Sequence, residues 1–343
     1  MKLRVHPYTL ELKHAFGIAT STRTTTPATL VEVEADGVIG YGEAAMPPYL
    51  GESQQTAAAF LERAAAVLAA ACDPFQLEEI LPAIDALAVG NPAAKAAVDI
   101  ALHDWIGKRL GAPWHRILGL NPAKAPVTSF TIGIDTPEVV RQKTREAAQY
   151  RILKVKLGRS AESDREMIDA IRQETDTPLT VDANQGWKTR DYALSMIEWL
   201  AARNVLFIEQ PMPREQLADT AWLRSRSLLP LIADENCQRL ADVRRCADAY
   251  HGVNIKLMKC TGLREAHKMI LLARGLGLKV MLGCMTETSC AISAAAQLSP
   301  LVDWADLDGA VLIKNDIFDG ARIVDGRITL PERPGIGVVK KAA

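Results

Sequence analysis

Six residues of the kinds that bind metal or move protons recur along the middle of the chain. They are Lys154 and Lys156 in "ILKVKLG", Asp182 in "LTVDAN", Glu209 in "VLFIEQP", Asp234 in "LIADEN" and Lys256 in "VNIKLMK". From Lys156 onward the intervals are 26, 27, 25 and 22 residues, and each charge breaks a short apolar run near its end. Three carboxylates brought together repel one another unless a cation lies between them. Oxygen ligands with no His or Cys nearby point to a hard ion, so Asp182, Glu209 and Asp234 are expected to hold Mg²⁺, one per subunit, with positions left for water and substrate. Asn184 and Glu235, adjacent in sequence, are expected to orient these ligands or the lysines. Lys154 and Lys156 point to the same face of their strand. A lysine must drop from about 10.4 towards about 7–8 to act as a base at neutral pH. A neighbouring ammonium disfavours a second charge, so Lys154 is expected to tune Lys156, with the metal acting in the same direction. Taken singly, an acid after a strand is often a helix cap and a KxK is usually a solvated edge strand. Three successive strands ending in "VDAN", "IEQP" and "ADEN" are hard to assign to capping alone.

Those residues need a scaffold that brings strand ends together. From about residue 125 short apolar strands ("VTSFTIGI", "ILKVKLG", "LTVDAN", "VLFIEQP", "LIADEN", "VNIKLMK", "KVMLGCM", "WADLDG") alternate with helical stretches such as "DREMIDAIRQE" and "YALSMIEWLAARN". Alternation of this kind means a parallel sheet, and eight strands in this length suit a closed α/β barrel. The five charges from Lys156 to Lys256 then share the rim where barrel active sites are built. Lys156 on the second strand faces Lys256 on the sixth, with the metal arc between them. A substrate carboxylate on Mg²⁺ would place its α-carbon between two amines. One would take the α-proton, the metal would stabilise the enediolate, and the other would return a proton to the opposite face.

The first 120 or so residues read differently. "TLVEVEADGVIGYGEA" alternates around a "DG" turn and predicts a hairpin, with another strand in "LRVHPYTLEL". Two helices are expected next, "SQQTAAAFLERAAAVLAAAC" and "AAKAAVDIALHDWIGKRLG", the second N-capped by Asn91 and ended by Gly111. The 343 residues are 48% hydrophobic and 24% charged, with a net charge of −1, which argues against nucleic acid or a membrane surface as the main partner. No 18-residue apolar run occurs, the opening "MKLRVHPYTLELK" lacks a signal-peptide core, and the six cysteines form no CxxC pair. A cytoplasmic protein with reduced thiols is expected. None of the six histidines has ligand spacing.

In order and spacing, "KVK" (154–156), "DANQGW" (182–187), "IEQP" (208–211), "ADE" (233–235) and "NIKLMKCTG" (254–262) resemble the enolase superfamily, muconate-lactonising subgroup. The likeness runs from "GYGEA" at 40–44 to "PGIGV" at 334–338, with "KCTG" standing where the family usually has KxGG. The two-lysine, Mg²⁺ arrangement is already familiar from enolase-superfamily sites. The resemblance implies a (β/α)₇β TIM-like barrel (121–320) and an N-terminal α+β capping domain (1–120) against which 321–343 packs. It also implies Mg²⁺ on Asp182, Glu209 and Asp234, and Lys156 and Lys256 as the acid/base pair.

Within the subgroup, Asp306 and Asp308 of "WADLDG" resemble the DxD of dipeptide epimerases, which binds the substrate's α-ammonium. Two carboxylates across the pocket from the metal suit the cationic end of a zwitterion. The stretch 16–30 resembles the loop that closes over the barrel, and Arg23 stands where Ala-Glu epimerases hold an arginine against glutamate; an arginine fork suits a carboxylate. The substrate expected is a dipeptide, L-Ala-D/L-Glu foremost, as met in cell-wall peptide recycling, and the enzyme is expected to be a homo-oligomer. The alternatives within the subgroup are an o-succinylbenzoate synthase, an N-acylamino acid racemase, or an epimerase of apolar or cationic dipeptides. Outside it stand a Schiff-base aldolase, which has no use for three carboxylates, and a non-catalytic protein on the same fold. Glu287 and Met285 of "GCMTETSC" are placed at the rim with no assigned role.

Overall fold

The computed structural model describes residues 1–17, 22–46 and 50–342. Strands β1 (Lys2–Gly17), β2 (Thr22–Ala35) and β3 (Val38–Ala45) form an antiparallel sheet in that order. Asp36 and Gly37 join β2 to β3 with φ of 49° and 73°, the paired positive values that a two-residue hairpin turn needs. Helices α1 (Gln54–Ala70), α2 (Leu77–Asp85) and α3 (Pro92–Leu110) follow; α2 was not anticipated. Ser53 and Thr56 close α1 with a capping box. The expected cap of α3 is corrected: Asn91 makes no capping bond, and the buried carboxylate of Glu52 accepts from the N–H groups of Ala93 (2.8 Å) and Ala94 (3.2 Å) instead. The sheet lies so close on α3 that a Cβ on Gly42 would sit 1.9 Å from the Ala97 carbonyl oxygen.

The barrel strands are β4 (Phe130–Ile132), β5 (Leu153–Lys156), β6 (Leu179–Asp182), β7 (Val205–Glu209), β8 (Leu231–Ala233), β9 (Gly252–Lys256), β10 (Lys279–Gly283) and β11 (Trp304–Asp306). They pair in parallel, in sequence order. A parallel bridge from Thr128 to Ala305 brings the last strand back to the first, with the Ser129 N–H donating to the Ala305 carbonyl at 3.1 Å. The strands are shorter than their apolar runs. "LMK" after Lys256 turns into a short helix, Leu257–Cys260, and Asp308 falls beyond β11, just ahead of a 3₁₀ turn. Register sets the site: Lys156, Asp182 and Glu209 are successive cross-strand partners, as are Lys256, Gly283 and Asp306.

Buried carboxylates of the N-terminal unit close barrel helices. Asp99 on α3 accepts from the Leu263 N–H at 2.6 Å, opening the helix Leu263–Gly275. Glu43 on β3 accepts from the Thr288 N–H at 2.9 Å and the Ala291 N–H at 3.2 Å, at the start of the helix Ser289–Ala296. The chain's end returns to the same unit: the Trp114 N–H donates to the Gly335 carbonyl (3.1 Å), the Ile336 N–H to Asp104 (3.0 Å), and Lys340 pairs with Glu32 (3.0 Å). Among the described residues no helix is long and apolar enough to cross a membrane.

Candidate active site

Adjacent strand ends put Asp182, Glu209 and Asp234 side by side. Each offers an oxygen within 4.8 Å of the others, and all three side chains are buried. An all-oxygen set of this kind fits a hard divalent ion such as Mg²⁺. Lysines surround it. Lys156 Nζ donates to Asp182 Oδ2 at 2.6 Å and Lys256 Nζ to Asp234 Oδ2 at 2.8 Å. These contacts place the two amines on opposite arms of the carboxylate cluster, where the strand count predicts them.

Lys154 does not present a bare charge to Lys156, as the KVK spacing suggests. Its ammonium lies 2.7 Å from Glu209 Oε2, 2.7 Å from Asp306 Oδ2 and 3.4 Å from Asp182 Oδ2, so both lysines share one aspartate oxygen. Burial alone would lower its pKa, but Asp306, Glu209 and Asp182 outweigh burial and hold it well above the usual lysine value. Burial and the neighbouring Asp182 push Glu209 up to about 7. Asp234 goes the other way: burial would raise it, and Lys256, Lys259 and Lys154 together hold it well below the ordinary range. Glu235 is pushed up to about 8 by burial and by Asp234, and its Oε2 is buried with no hydrogen-bond partner. The backbone N–H of Asn184 donates to Asp182 Oδ1 at 2.9 Å, while its own side-chain oxygen is buried and unpaired. Both residues line the pocket.

A cavity of about 130 Å³ over this cluster is walled by Lys154, Lys156, Asp234, Lys256, Asp306 and Asp308. Ser129 Oγ donates to Asp306 Oδ1 at 2.6 Å and the Thr131 N–H to Asp308 Oδ2 at 2.7 Å. Burial and Asp306 push Asp308 up to about 7. The expected separation of this pair from the metal ligands is corrected for Asp306: a single ammonium, that of Lys154, stands between it and Glu209.

Arg23 also lines the cavity, but from β2, paired opposite Phe16 of β1; residues 18–21 of the expected closing loop lie outside the described residues. Its guanidinium donates to Thr286 Oγ1 at 2.8 Å and stands 5.4 Å from the centre of the Phe16 ring. Met285 is in the wall. Glu287 turns inward, accepting from the Met285 N–H at 2.9 Å, and burial with nearby Glu43 pushes it up to about 8.

Sequence reasoning missed several supports. Lys259 Nζ, fully buried, donates to the carbonyls of Asp234 (2.7 Å) and Asn254 (3.0 Å) and pairs with the Asp234 carboxylate. Asn254 donates to Glu209 Oε1 at 2.7 Å; it precedes Lys256 by two residues, so the same-face rule for strands could have found it. Gln210, at φ 35°, accepts from the Asp234 N–H (3.0 Å) and donates to the Tyr250 hydroxyl (2.9 Å), tying together the ends of the strands that carry Glu209 and Asp234.

Residues 2–119 match the family described as "Mandelate racemase / muconate lactonizing enzyme, N-terminal domain", and residues 138–342 match "Enolase C-terminal domain-like". The chain is 60% identical over 341 residues to the L-Ala-D/L-Glu epimerase of Bacteroides thetaiotaomicron, covering 99% of this chain and 88% of that one. Its structure is similar to the dipeptide epimerase of Cytophaga hutchinsonii complexed with Mg and the dipeptide D-Ala-L-Val (TM-score 0.93, 28% identity, 99% and 95% coverage). It is equally similar to the substrate-liganded L-Ala-D/L-Glu epimerase of Bacillus subtilis (TM-score 0.93, 27% identity, full coverage of both chains, at 100%).

Proposed function

The chain belongs to the mandelate racemase/muconate lactonizing family of the enolase superfamily, and from that premise we propose that it is a Mg²⁺-dependent dipeptide epimerase acting on L-Ala-D/L-Glu. One observation carries the reading: one cavity is walled by two opposed lysines, an aspartate of the acidic cluster, the Asp306/Asp308 pair and Arg23. Its parts match the parts of a dipeptide. The substrate carboxylate goes to the metal cluster, the ammonium to Asp306 and Asp308, and the glutamate side chain to Arg23. A bound Mg²⁺, one per chain on Asp182, Glu209 and Asp234, would draw off the charge that builds on the substrate carboxylate as the α-proton leaves.

Lys156 and Lys256 do the proton work. The amine that is neutral at the start takes the α-proton from one face, and the electron pair moves into the carboxylate as an enediolate. The opposite ammonium then gives a proton to the other face, inverting the centre. Lys154 takes no proton; with three carboxylate partners it holds Asp306 and Glu209 at fixed spacing. Residues 1–120, with 321–343 packed on them, act as the cap over a barrel of 121–320, supported by the contacts of Asp99, Glu43 and Asp104. The lyase and N-acyl racemase alternatives leave the buried Asp306/Asp308 pair without a substrate group to bind.

The test is a dipeptide library in D₂O with Mg²⁺, read by mass spectrometry for deuterium at the α-carbon of the second residue. Incorporation into L-Ala-L-Glu above other dipeptides is expected. Exchange confined to apolar or cationic dipeptides would remove the role of Arg23, and no exchange in any dipeptide would overturn the reading.

A further inference from the structure

The turn after β10, residues 284–288, is pinned on both sides of Thr286. Ahead of it, the Met285 N–H donates to Glu287 Oε1 at 2.9 Å; behind it, the Thr288 N–H donates to Glu43 of β3 at 2.9 Å. Cys284, Met285 and Thr286 of this turn line the cavity over the lysines. The Thr286 side chain is buried, and its hydroxyl meets two residues of β2. The Arg23 guanidinium donates to it at 2.8 Å, and the hydroxyl of the buried Thr26 lies 3.4 Å away. A hydroxyl has one hydrogen to donate and two lone pairs, so it can serve both partners. Phe16 stands against the other part of the arginine, its ring centre 5.4 Å from the guanidinium carbon.

An arginine that must find one rotamer when substrate arrives spends part of the binding free energy on being ordered. A hydrogen bond to a turn that is itself held at residues 285 and 288 does that ordering beforehand. We infer that Thr286 is a positioning residue for substrate selection. Its hydroxyl holds the Arg23 guanidinium in the cavity wall, so that a carboxylate on the second residue of the substrate meets an arginine already in place. The barrel, through Thr286, then sets where a charge carried by the N-terminal hairpin stands. Thr286 acts through Arg23 and needs no contact with the substrate. The inference rests on the dipeptide-epimerase reading above.

The experiment measures KM and kcat for deuterium exchange at the glutamate α-carbon of L-Ala-L-Glu. It compares the Mg²⁺-loaded protein with Thr286→Val, Thr286→Ser, Thr26→Val, Arg23→Ala and the double variant Arg23→Ala/Thr286→Val. Thr286→Val keeps the shape and loses the hydroxyl. It is expected to raise KM by about threefold to tenfold, the scale of ordering one long side chain on binding, with kcat changed by less than about twofold. Thr286→Ser keeps the hydroxyl and should bring KM back to within about twofold of the parent. Thr26→Val breaks the other contact of the same hydroxyl and should also stay within about twofold. The double variant should match Arg23→Ala within about twofold, since nothing is left to position. If the valine variant does not fold, Thr286→Ala takes its place in the same comparison. An unchanged KM on losing the hydroxyl, a serine variant as impaired as the valine one, an equal effect of Thr26→Val, or losses that multiply in the double variant would overturn the positioning role and leave the epimerase intact. An unaltered KM in Arg23→Ala would overturn the role of Arg23 and that of Thr286 with it. No exchange of L-Ala-L-Glu by the parent protein would overturn the epimerase reading itself.

Discussion

At the floor of the pocket, Lys154, Lys156, Lys256 and Lys259 each meet a carboxylate at or next to the end of a barrel strand, Lys156 and Asp182 as direct cross-strand partners. At the roof, Arg23 comes from the β1–β2 hairpin of the N-terminal unit, stands against Phe16 of the same hairpin and reaches the barrel by a hydrogen bond to Thr286. The floor is buried and its geometry follows from strand pairing; the Arg23 side of the roof is half-buried and its geometry follows from how one unit sits on another. Substitutions at the floor should therefore abolish chemistry whatever the substrate, and substitutions at the roof should change which substrate is used.

The largest effects belong to the floor. Lys156→Ala is expected to lower epimerisation by at least about a thousandfold for one stereoisomer or both, the scale of a lost acid/base group, while Mn²⁺ binding followed by electron paramagnetic resonance persists. Asp234→Asn should remove metal binding as well as activity. It removes the carboxylate charge that the buried Lys256 and Lys259 ammonium groups share, and should cost about 3–5 kcal/mol in urea unfolding as well as metal affinity. If Asp234→Asn keeps both stability and Mn²⁺ affinity, the floor is not the tightly determined region that its ion pairs imply.

Next in size is Arg23→Ala. Losing a carboxylate clamp at a half-buried position should raise KM for L-Ala-L-Glu by roughly tenfold to a hundredfold, or about 1.5–3 kcal/mol for a hydrogen bond to a charged group. Turnover of a dipeptide with an uncharged second residue should change little. Comparable losses on both substrates would mean that Arg23 supports the fold of the hairpin rather than reading the substrate, and the distinction between roof and floor would fail there.

Legibility in the sequence follows the same division. The barrel, and the clustering of three carboxylates and the lysines on its rim, were readable because each charge interrupts a strand at a repeating interval, a local signal that survives without coordinates. Strand lengths were overestimated because apolar runs continue past the last ladder bond, into loops and into the Leu257–Cys260 turn. What could not be read was non-local pairing. Glu52 rather than Asn91 caps α3, and Asp99 caps a barrel helix 164 residues further on. Lys154 found three acidic partners on other strands, two of them on strands not adjacent to its own, where strand spacing alone showed only a neighbouring lysine.

Two smaller predictions ask how the roof is fastened to the floor. Asp99→Asn weakens a buried cap and should lower stability by about 1 kcal/mol, read as a drop in Tm. Glu78 on α2 makes the contrasting, exposed anchor: it accepts from Arg264 Nε at 2.8 Å and from Lys268 Nζ at 3.0 Å, with its side chain 66% exposed. The hydrogen bonds from Arg264, followed by those from Lys268, hold its carboxyl down at about 2. A depressed carboxyl stabilises the fold above its ordinary value of 4.5 and loses that contribution as pH falls through about 2. Solvent and salt screen so exposed a pair, so Glu78→Gln should cost under about 1 kcal/mol at pH 7. In urea titrations the gap between variant and parent should shrink with added salt and narrow steadily from pH 4.5 towards pH 2. A gap that stays constant with pH would place the effect in packing rather than charge. A loss as large and as salt-insensitive as that of Asp99→Asn would mean that exposed ion pairs anchor the cap as firmly as buried ones, and the roof would then be held by its edges.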